Sequence, residues 1–208
     1  MDPLIQRFYR EIHRHALSQR GRVTGDLNSP LTGKILSKQF LSSRLAAHVR
    51  RCQTRLKTHY LWGGIMDRFT EEALEALFAR YPLWYEGKQE RFRALIGSGA
   101  YGCDCSGLIK SYLFGGPDHP GYEAFYDLSS GMLFSASDKK GGINTLPELE
   151  GLCLYMPGHV GVYLGGGQVM ECTNNPGFGD GVVQTRIGDR PWTDWFCCPF
   201  IGHEGLDE

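Results

Sequence analysis

The sequence predicts an α+β fold, with helices first and an antiparallel sheet after them. Three observations carry this. Up to Phe114, apolar residues recur at three- and four-residue spacing, the pattern of helices buried along one stripe. After Gly151 the pattern changes to short strand-like runs. Those runs follow one another through Gly-, Pro- and Asn-rich turns, as in an antiparallel sheet. The length of 208 residues, with 41% apolar and 22% charged, suits a single packed domain with a small appendage.

Each element has its own justification. Residues 4–17 read as an amphipathic helix through Leu4, Ile5, Phe8, Ile12 and Ala16, with arginines between. Residues 20–36 read as a loop. A second helix spans about Lys38 to Lys57, with Leu41, Leu45, Val49, Cys52 and Leu56 on one stripe and basic residues opposite. Residues 70–81 form a third, capped by Thr70, favoured by Glu71 and Glu72 at its positive end, and stopped by Pro82. Residues 88–96 make a short helix ended by Gly97. Cys105 to Phe114 makes another, with Leu108, Ile109, Tyr112 and Leu113 apolar. Residues 115–150 read as irregular. Strands follow at Leu152–Met156, His159–Leu164, Gln168–Cys172, Val182–Arg186 and Trp195–Ile201. Residues 1–38 stand apart as an N-terminal helical extension, and 39–208 as the main domain.

Composition narrows the function classes. The net charge of −1 hides a split: residues 1–60 carry 12 Lys/Arg against 3 Asp/Glu, and the rest carries 10 against 20. The basic excess lies on helix faces, so an anionic wall or membrane surface is an expected contact of residues 1–60. Nothing points to nucleic acid. No stretch approaches the roughly 18 apolar residues of a membrane span. The arginine-rich start has no apolar core of the kind a secretory signal needs. The seven cysteines are odd in number and scattered, which argues against a disulfide scaffold. Glycine is 28 of 208, about twice the usual ~7%, and twenty of the 28 fall between Gly97 and Gly188.

Candidate chemistry starts at Asp104-Cys105-Ser106-Gly107. Cys105 falls where a Gly-rich loop meets a helix. There the positive end of the helix dipole is expected to lower the thiol pKa. The free N–H groups of the first turn form an oxyanion hole. Cys103 lacks that placement. A thiol nucleophile needs a base. Of the seven histidines, His13, His15, His48 and His59 lie in the basic part, His119 in the irregular stretch and His203 near the end. His159 instead opens a strand.

The hairpin after His159 has an arguable register. A three-residue turn at 165–167 pairs Leu164 with Gln168, Val162 with Met170 and Val160 with Cys172 on an apolar face. His159, Gly161, Tyr163, Val169 and Glu171 then share the opposite face. A two-residue turn would put Glu171 among apolar side chains. The favoured register sets His159 and Glu171 diagonally across neighbouring strands, roughly 7–8 Å apart at Cα, so that Glu171 orients the imidazole. Gly161 is expected to leave room for a packed helix.

These residues resemble a known family. Tyr60-x-Trp62-Gly63-Gly64, then Asp104-Cys105-Ser106-Gly107-Leu108, then His159-x-Gly161-x-Tyr163-x-Gly165-x-Gly167, with a polar residue twelve after the histidine, are similar in order to NlpC-type cysteine peptidases. These papain-like enzymes cut bacterial peptidoglycan stem peptides. The similarity spans about residues 39–202. It implies a papain-like fold, with the cysteine helix packed on a five- to six-stranded antiparallel sheet. It implies Cys105 as nucleophile, His159 as base and acid, and residue 171 as orienter. It further implies Tyr60 beside the nucleophile near the oxyanion, and Asp104 and Ser106 holding the substrate, commonly at its free amino end. The substrate implied is the peptidoglycan stem peptide, cut as by an endopeptidase of D-glutamyl–diamino acid type.

Three features depart from the family pattern. Position 171 is often His there, and Glu171 is closer to the related CHAP-type amidases. The 39 residues between Gly64 and Asp104 exceed the usual ten or so, and 65–103 are expected to form a helical cap with Trp84 and Tyr85. Residues 1–38 have no counterpart in the minimal domain. Two other readings stand beside the hydrolase: thiol-dependent amidase or acyltransferase action on a non-wall substrate, and a non-catalytic wall-binding module. A metal site from Cys103, Cys105, Cys172 and His159 ranks lower, and the favoured reading calls for no metal or cofactor. With no signal visible, the expected route is synthesis in the cytoplasm and action on the wall after release or delivery, as by a phage lysin or effector; a sequence stripped of its signal fits equally.

Overall fold

A computed structural model describes residues 40–118, 121–203 and 205–206. Residues 41–208 form one compact unit. The expected helix at 4–17, the loop at 20–36, and His13, His15 and His119 lie outside the described residues.

Helix α1, Ser42–Arg55, buries Leu45, Val49 and Cys52 and turns Arg44, Arg51 and Arg55 to solvent, so the apolar stripe orients it. Its His48 faces inward, with Nε2 2.8 Å from the Ser111 hydroxyl. Three short strands follow that the sequence pattern did not predict: β1 (Thr58–Tyr60), β2 (Ile65–Arg68) and β3 (Tyr101–Cys103). The last lies between the other two, parallel to β1 and antiparallel to β2. At three or four residues each, they are too short to show a period.

Between β2 and β3 run helices α2 (Glu71–Arg80), α3 (Pro82–Tyr85) and α4 (Gln89–Arg93). Thr70 caps α2 by accepting the Ala73 N–H at 3.2 Å. Pro82 both ends α2 and opens α3, at the position where its missing N–H costs nothing. Leu74, Phe78, Tyr85 and Phe92 from these helices close over Leu61, Phe69 and Ala100 as a core of their own.

Helix α5, Cys105–Leu113, packs against β2 and against the main sheet. The stretch 115–150, expected to be irregular, contains helix α6 (Ser130–Ala136), capped by Ser129, and strand β4 (Lys140–Gly142). The main sheet has six antiparallel strands in the order β4-β9-β5-β6-β7-β8. Its other members are β5 (Cys153–Met156), β6 (His159–Tyr163), β7 (Gln168–Thr173), β8 (Gly181–Arg186) and β9 (Asp194–Phe196). Strand β9 is shorter than the expected 195–201. The chain turns at Cys198–Ile201, where Pro199 has no N–H to give a ladder.

The β6–β7 hairpin has the argued register. Gly161 faces Glu171, Val162 faces Met170 and Tyr163 faces Val169. Gly165, Gly166 and Gly167 form the turn, all three at positive φ, a region that glycine enters without strain. One expectation is corrected here. A Cβ at Gly161 would meet Val169 Cγ1 at 2.8 Å and the Trp192 ring at 3.1 Å, so an indole, not a helix, occupies that face.

Candidate active site

The start of α5 is built by two glycine-bearing loops lying on each other. Asp104 donates its N–H to the Gly64 carbonyl at 3.0 Å, and Gly63 donates its N–H to Asp104 Oδ2 at 3.0 Å. Asp104 Oδ1 accepts the Gly107 N–H at 2.6 Å and the Ser106 hydroxyl at 2.9 Å. A Cβ at Gly107 would lie 2.0 Å from the Gly64 carbonyl oxygen, so only glycine permits this approach. Asp104 is therefore the helix cap, with both carboxylate oxygens engaged, and Ser106 is buried against it.

Cys105 occupies the first helical position and is 6% exposed. The backbone N–H groups of Val160 and Ser106 lie near enough to its sulfur to favour the thiolate, which places it at the entry to β6, beside the residue that follows His159. Burial, and then the Asp104 charge, push the thiol up to about 12 despite those two donors. The expected lowering by the helix start is thus outweighed, because desolvation penalises the thiolate more than the donors favour it. Cys103 is not idle: its sulfur lies 3.3 Å from Cys172 Sγ, whose S–H donates to the Cys103 carbonyl.

His159 Nε2 lies 2.6 Å from Glu171 Oε2. The ring is nearly parallel to Trp192, at 20° and 5.7 Å between centroids. Glu171 is fully buried. Its Oε1 accepts the Thr185 hydroxyl at 2.7 Å, and Arg190 Nη2 lies 3.3 Å from Oε2. Burial pushes the Glu171 pKa up, but the bonds from His159 and Thr185 and the charges of His159 and Arg190 hold it below the ordinary carboxylate value. With Nε2 held by Glu171, Nδ1 is the nitrogen left to exchange a proton.

Tyr60 is buried close by. Burial, and then the charges that would form on Cys105 and Asp104, raise its phenol well above the ordinary value. Its backbone N–H donates to Asp180 Oδ1 at 3.0 Å, while His59 Nδ1 and Arg91 reach Asp180 Oδ2 at 2.8 and 3.3 Å. Next to it Trp62 is 39% exposed and stacks on Trp84 at 5.8 Å and 19°. Tyr85 donates its hydroxyl to the Trp62 carbonyl at 2.6 Å, and the Lys88 ammonium sits 4.1 Å from the centre of the Trp84 ring.

The structure thus gathers Tyr60, Asp104, Cys105 and Ser106 at one helix start, with His159 and Glu171 on the adjoining strands. Sequence reasoning missed Thr185, Arg190, Trp192 and Asp180. For Thr185 a signal existed, since extending the hairpin register to the next strand puts it on the Glu171 face. The other three come from turns without periodicity. Among the described residues, no group of three or more His, Cys, Asp or Glu is arranged to hold a metal ion. No described helix is long and apolar enough to cross a membrane.

The chain is similar to NlpC/p60 domains. One such structure is the NlpC/p60 domain of peptidoglycan hydrolase SagA, at 16% identity over 75% of this chain and 97% of that one, with a TM-score of 0.39. Another is the P60 domain of an antigen from M. avium subspecies paratuberculosis, at 20% identity over 77% and 98%, with a TM-score of 0.43. No protein-family model matches the sequence, and no curated protein matches it.

Proposed function

We propose that this chain is a cysteine hydrolase that cuts an amide bond in the stem peptides of bacterial peptidoglycan, as an endopeptidase of D-glutamyl–diamino acid type. The observation that carries it is the 2.6 Å bond between His159 and a buried Glu171, with the Cys105 thiol at a helix start against the next residue, Val160. Cys105 passes its proton to His159 Nδ1 as the sulfur attacks the carbonyl carbon. The oxyanion is met by the Cys105 backbone N–H, since the Gly107 and Leu108 N–H groups are held by Asp104, and by the Tyr60 hydroxyl. The imidazolium then protonates the leaving amine, giving a thioester. His159 takes a proton from water, which attacks the thioester and restores the thiol. Glu171 steadies the imidazolium in both halves. Asp104, as the negative group beside the nucleophile, attracts the amino end of the stem peptide. The basic face of α1, with residues 1–38, adds attraction to an anionic wall or membrane surface. The enzyme reaches the wall by release or delivery from the cytoplasm.

The test is a digest of intact peptidoglycan and defined muropeptides, with the fragments sequenced by mass spectrometry. Wild type is expected to release fragments ending at the D-glutamyl residue, and Cys105→Ala none. Equal silence from both proteins on walls of several chemotypes would overturn the proposal.

A further inference from the structure

Glu171 Oε2 serves two nitrogen partners at once. It lies 2.6 Å from His159 Nε2 and 3.3 Å from Arg190 Nη2. Arg190 is held there from several sides. Its side chain is buried, at 8% exposure, and its guanidinium carbon lies 5.0 Å from the Phe178 ring centre. The turn before it is closed by Asp189 accepting the Arg186 N–H at 2.7 Å. The turn after it is closed by the Trp192 N–H on the Arg190 carbonyl at 2.9 Å. Trp192 then covers Gly161 and stacks on the His159 ring. One short segment, 189–192, therefore grips both the carboxylate and the imidazole. Its guanidinium Nε is buried and makes no hydrogen bond among the described residues, so Glu171 is the ion partner that explains the burial.

We infer that Arg190 is a positioning residue that sets the proton affinity of His159 by sharing Glu171 with it. The argument follows from charge. A fully buried carboxylate facing a neutral imidazole alone either takes up a proton or forces the imidazole to stay charged. A fixed guanidinium on the same oxygen keeps the carboxylate ionised whatever the state of the ring. A neutral ring then leaves no uncompensated buried carboxylate behind it, as a base that activates water requires. The groups set against His159 and its carboxylate are Glu171 from β7, Arg190 behind it and the Trp192 ring, and the Cys105 thiol with Asp104 lies beside the neighbouring Val160 backbone. Arg190 is the only fixed positive charge in that set. It touches no reacting atom, so it acts through Glu171. This rests on the reading of His159 as the proton carrier, but its test needs no substrate.

The experiment is an NMR titration of the His159 ring in the full chain carrying Cys105→Ala, with histidine isotopically labelled. The His159 signal is identified by its loss in His159→Gln. Arg190→Gln is expected to raise the midpoint by about one pH unit, a roughly tenfold gain in proton affinity. Arg190→Lys, which keeps the charge, should leave it within a few tenths of a unit. A lower melting temperature with an unmoved midpoint in Arg190→Gln would overturn the inference, because a merely structural arginine does that. Glu171→Gln gives an independent reading should Arg190→Gln not fold. With the carboxylate gone, the midpoint should lie lower in Glu171→Gln than in Glu171→Gln with Arg190→Gln, because burial lowers both alike and only the first keeps the guanidinium. Equal midpoints in the two would show that Arg190 does not act on the ring. Failure of the wall digest alongside the expected titration would sink the substrate assignment and leave this inference standing.

Discussion

Gly161 stands directly opposite Glu171 in the β6–β7 pair, and the Trp192 ring fills the space that a side chain at 161 would need. The bare position lets one indole cover the hairpin and lie against His159 at the same time. In Gly161→Ala the new methyl would sit 2.8 Å from Val169 Cγ1 and 3.1 Å from the Trp192 ring, neither of which is a flexible tip. The expected cost is about 1–3 kcal/mol of stability. Hydrolysis should fall by more than the unfolded fraction explains, because the ring that backs His159 is displaced. Paired denaturant unfolding and initial-rate measurements check this, and an unchanged rate would contradict it.

Gly107→Ala should be far worse. Its Cβ would meet the backbone oxygen of Gly64 at 2.0 Å, and backbone cannot yield as a side-chain end can. A loss of about 3 kcal/mol or more is expected, seen as insoluble protein or a strongly lowered melting temperature.

Asp104 both caps α5 and raises the thiol pKa after burial has done so. In Asp104→Asn the carbonyl oxygen keeps part of the cap and the negative charge is gone. Alkylation of Cys105 by iodoacetamide should then proceed at lower pH than in wild type, with about 1 kcal/mol or less of stability lost. An alkylation profile unmoved or shifted to higher pH would show that the carboxylate does not act on the sulfur.

His48 is neutral and buried, its pKa lowered to about 4 by desolvation and then by Arg51. The unfolded chain binds that proton near pH 6.5 and the folded chain does not, so stability declines as pH falls from about 6.5 toward 4. The full difference corresponds to about 3 kcal/mol. Urea unfolding at pH 7 and pH 4.5 should show this decline in wild type. It should be clearly smaller in His48→Asn, whose amide does not titrate.

Trp84→Ala should separate binding from chemistry. The indole lies against Trp62 and under Lys88 and takes no part in the His159–Glu171 pair. The expected outcome on muropeptides is a KM raised several-fold with kcat within about twofold. A collapse of kcat with KM unchanged would reassign this aromatic pair to the reacting centre.

The register of the β6–β7 hairpin was legible because two rules converge on it: a three-glycine turn fixes the pairing, and a one-residue slip would bury Glu171 among apolar side chains. The helix starts at Thr70 and Asp104 were legible from cap chemistry. The small sheet of β1, β2 and β3 was not, since its parallel pair joins Thr58 to Tyr101 across more than forty residues with no local signal. Helix α6 was too short and too rich in Ser and Gly to show a period. The thiol pKa was misjudged for a related reason. The helix-start effect is written in local sequence, whereas the burial that outweighs it comes from strands far along the chain. Arg190 and Trp192 follow a turn, so their convergence on His159 and Glu171 is visible only in three dimensions.

Ile65 and Cys103 stand opposite one another in the antiparallel pair of β2 and β3, so the excursion that carries α2, α3 and α4 begins and ends at neighbouring points. A segment closed in this way behaves as an attachment on a fixed socket. Its helices can be lengthened, trimmed or replaced while Cys105, two residues beyond the socket, keeps its place. The mounting is felt at the site all the same, because Tyr85 holds the Trp62 carbonyl and Arg91 reaches the Asp180 carboxylate that anchors the Tyr60 N–H.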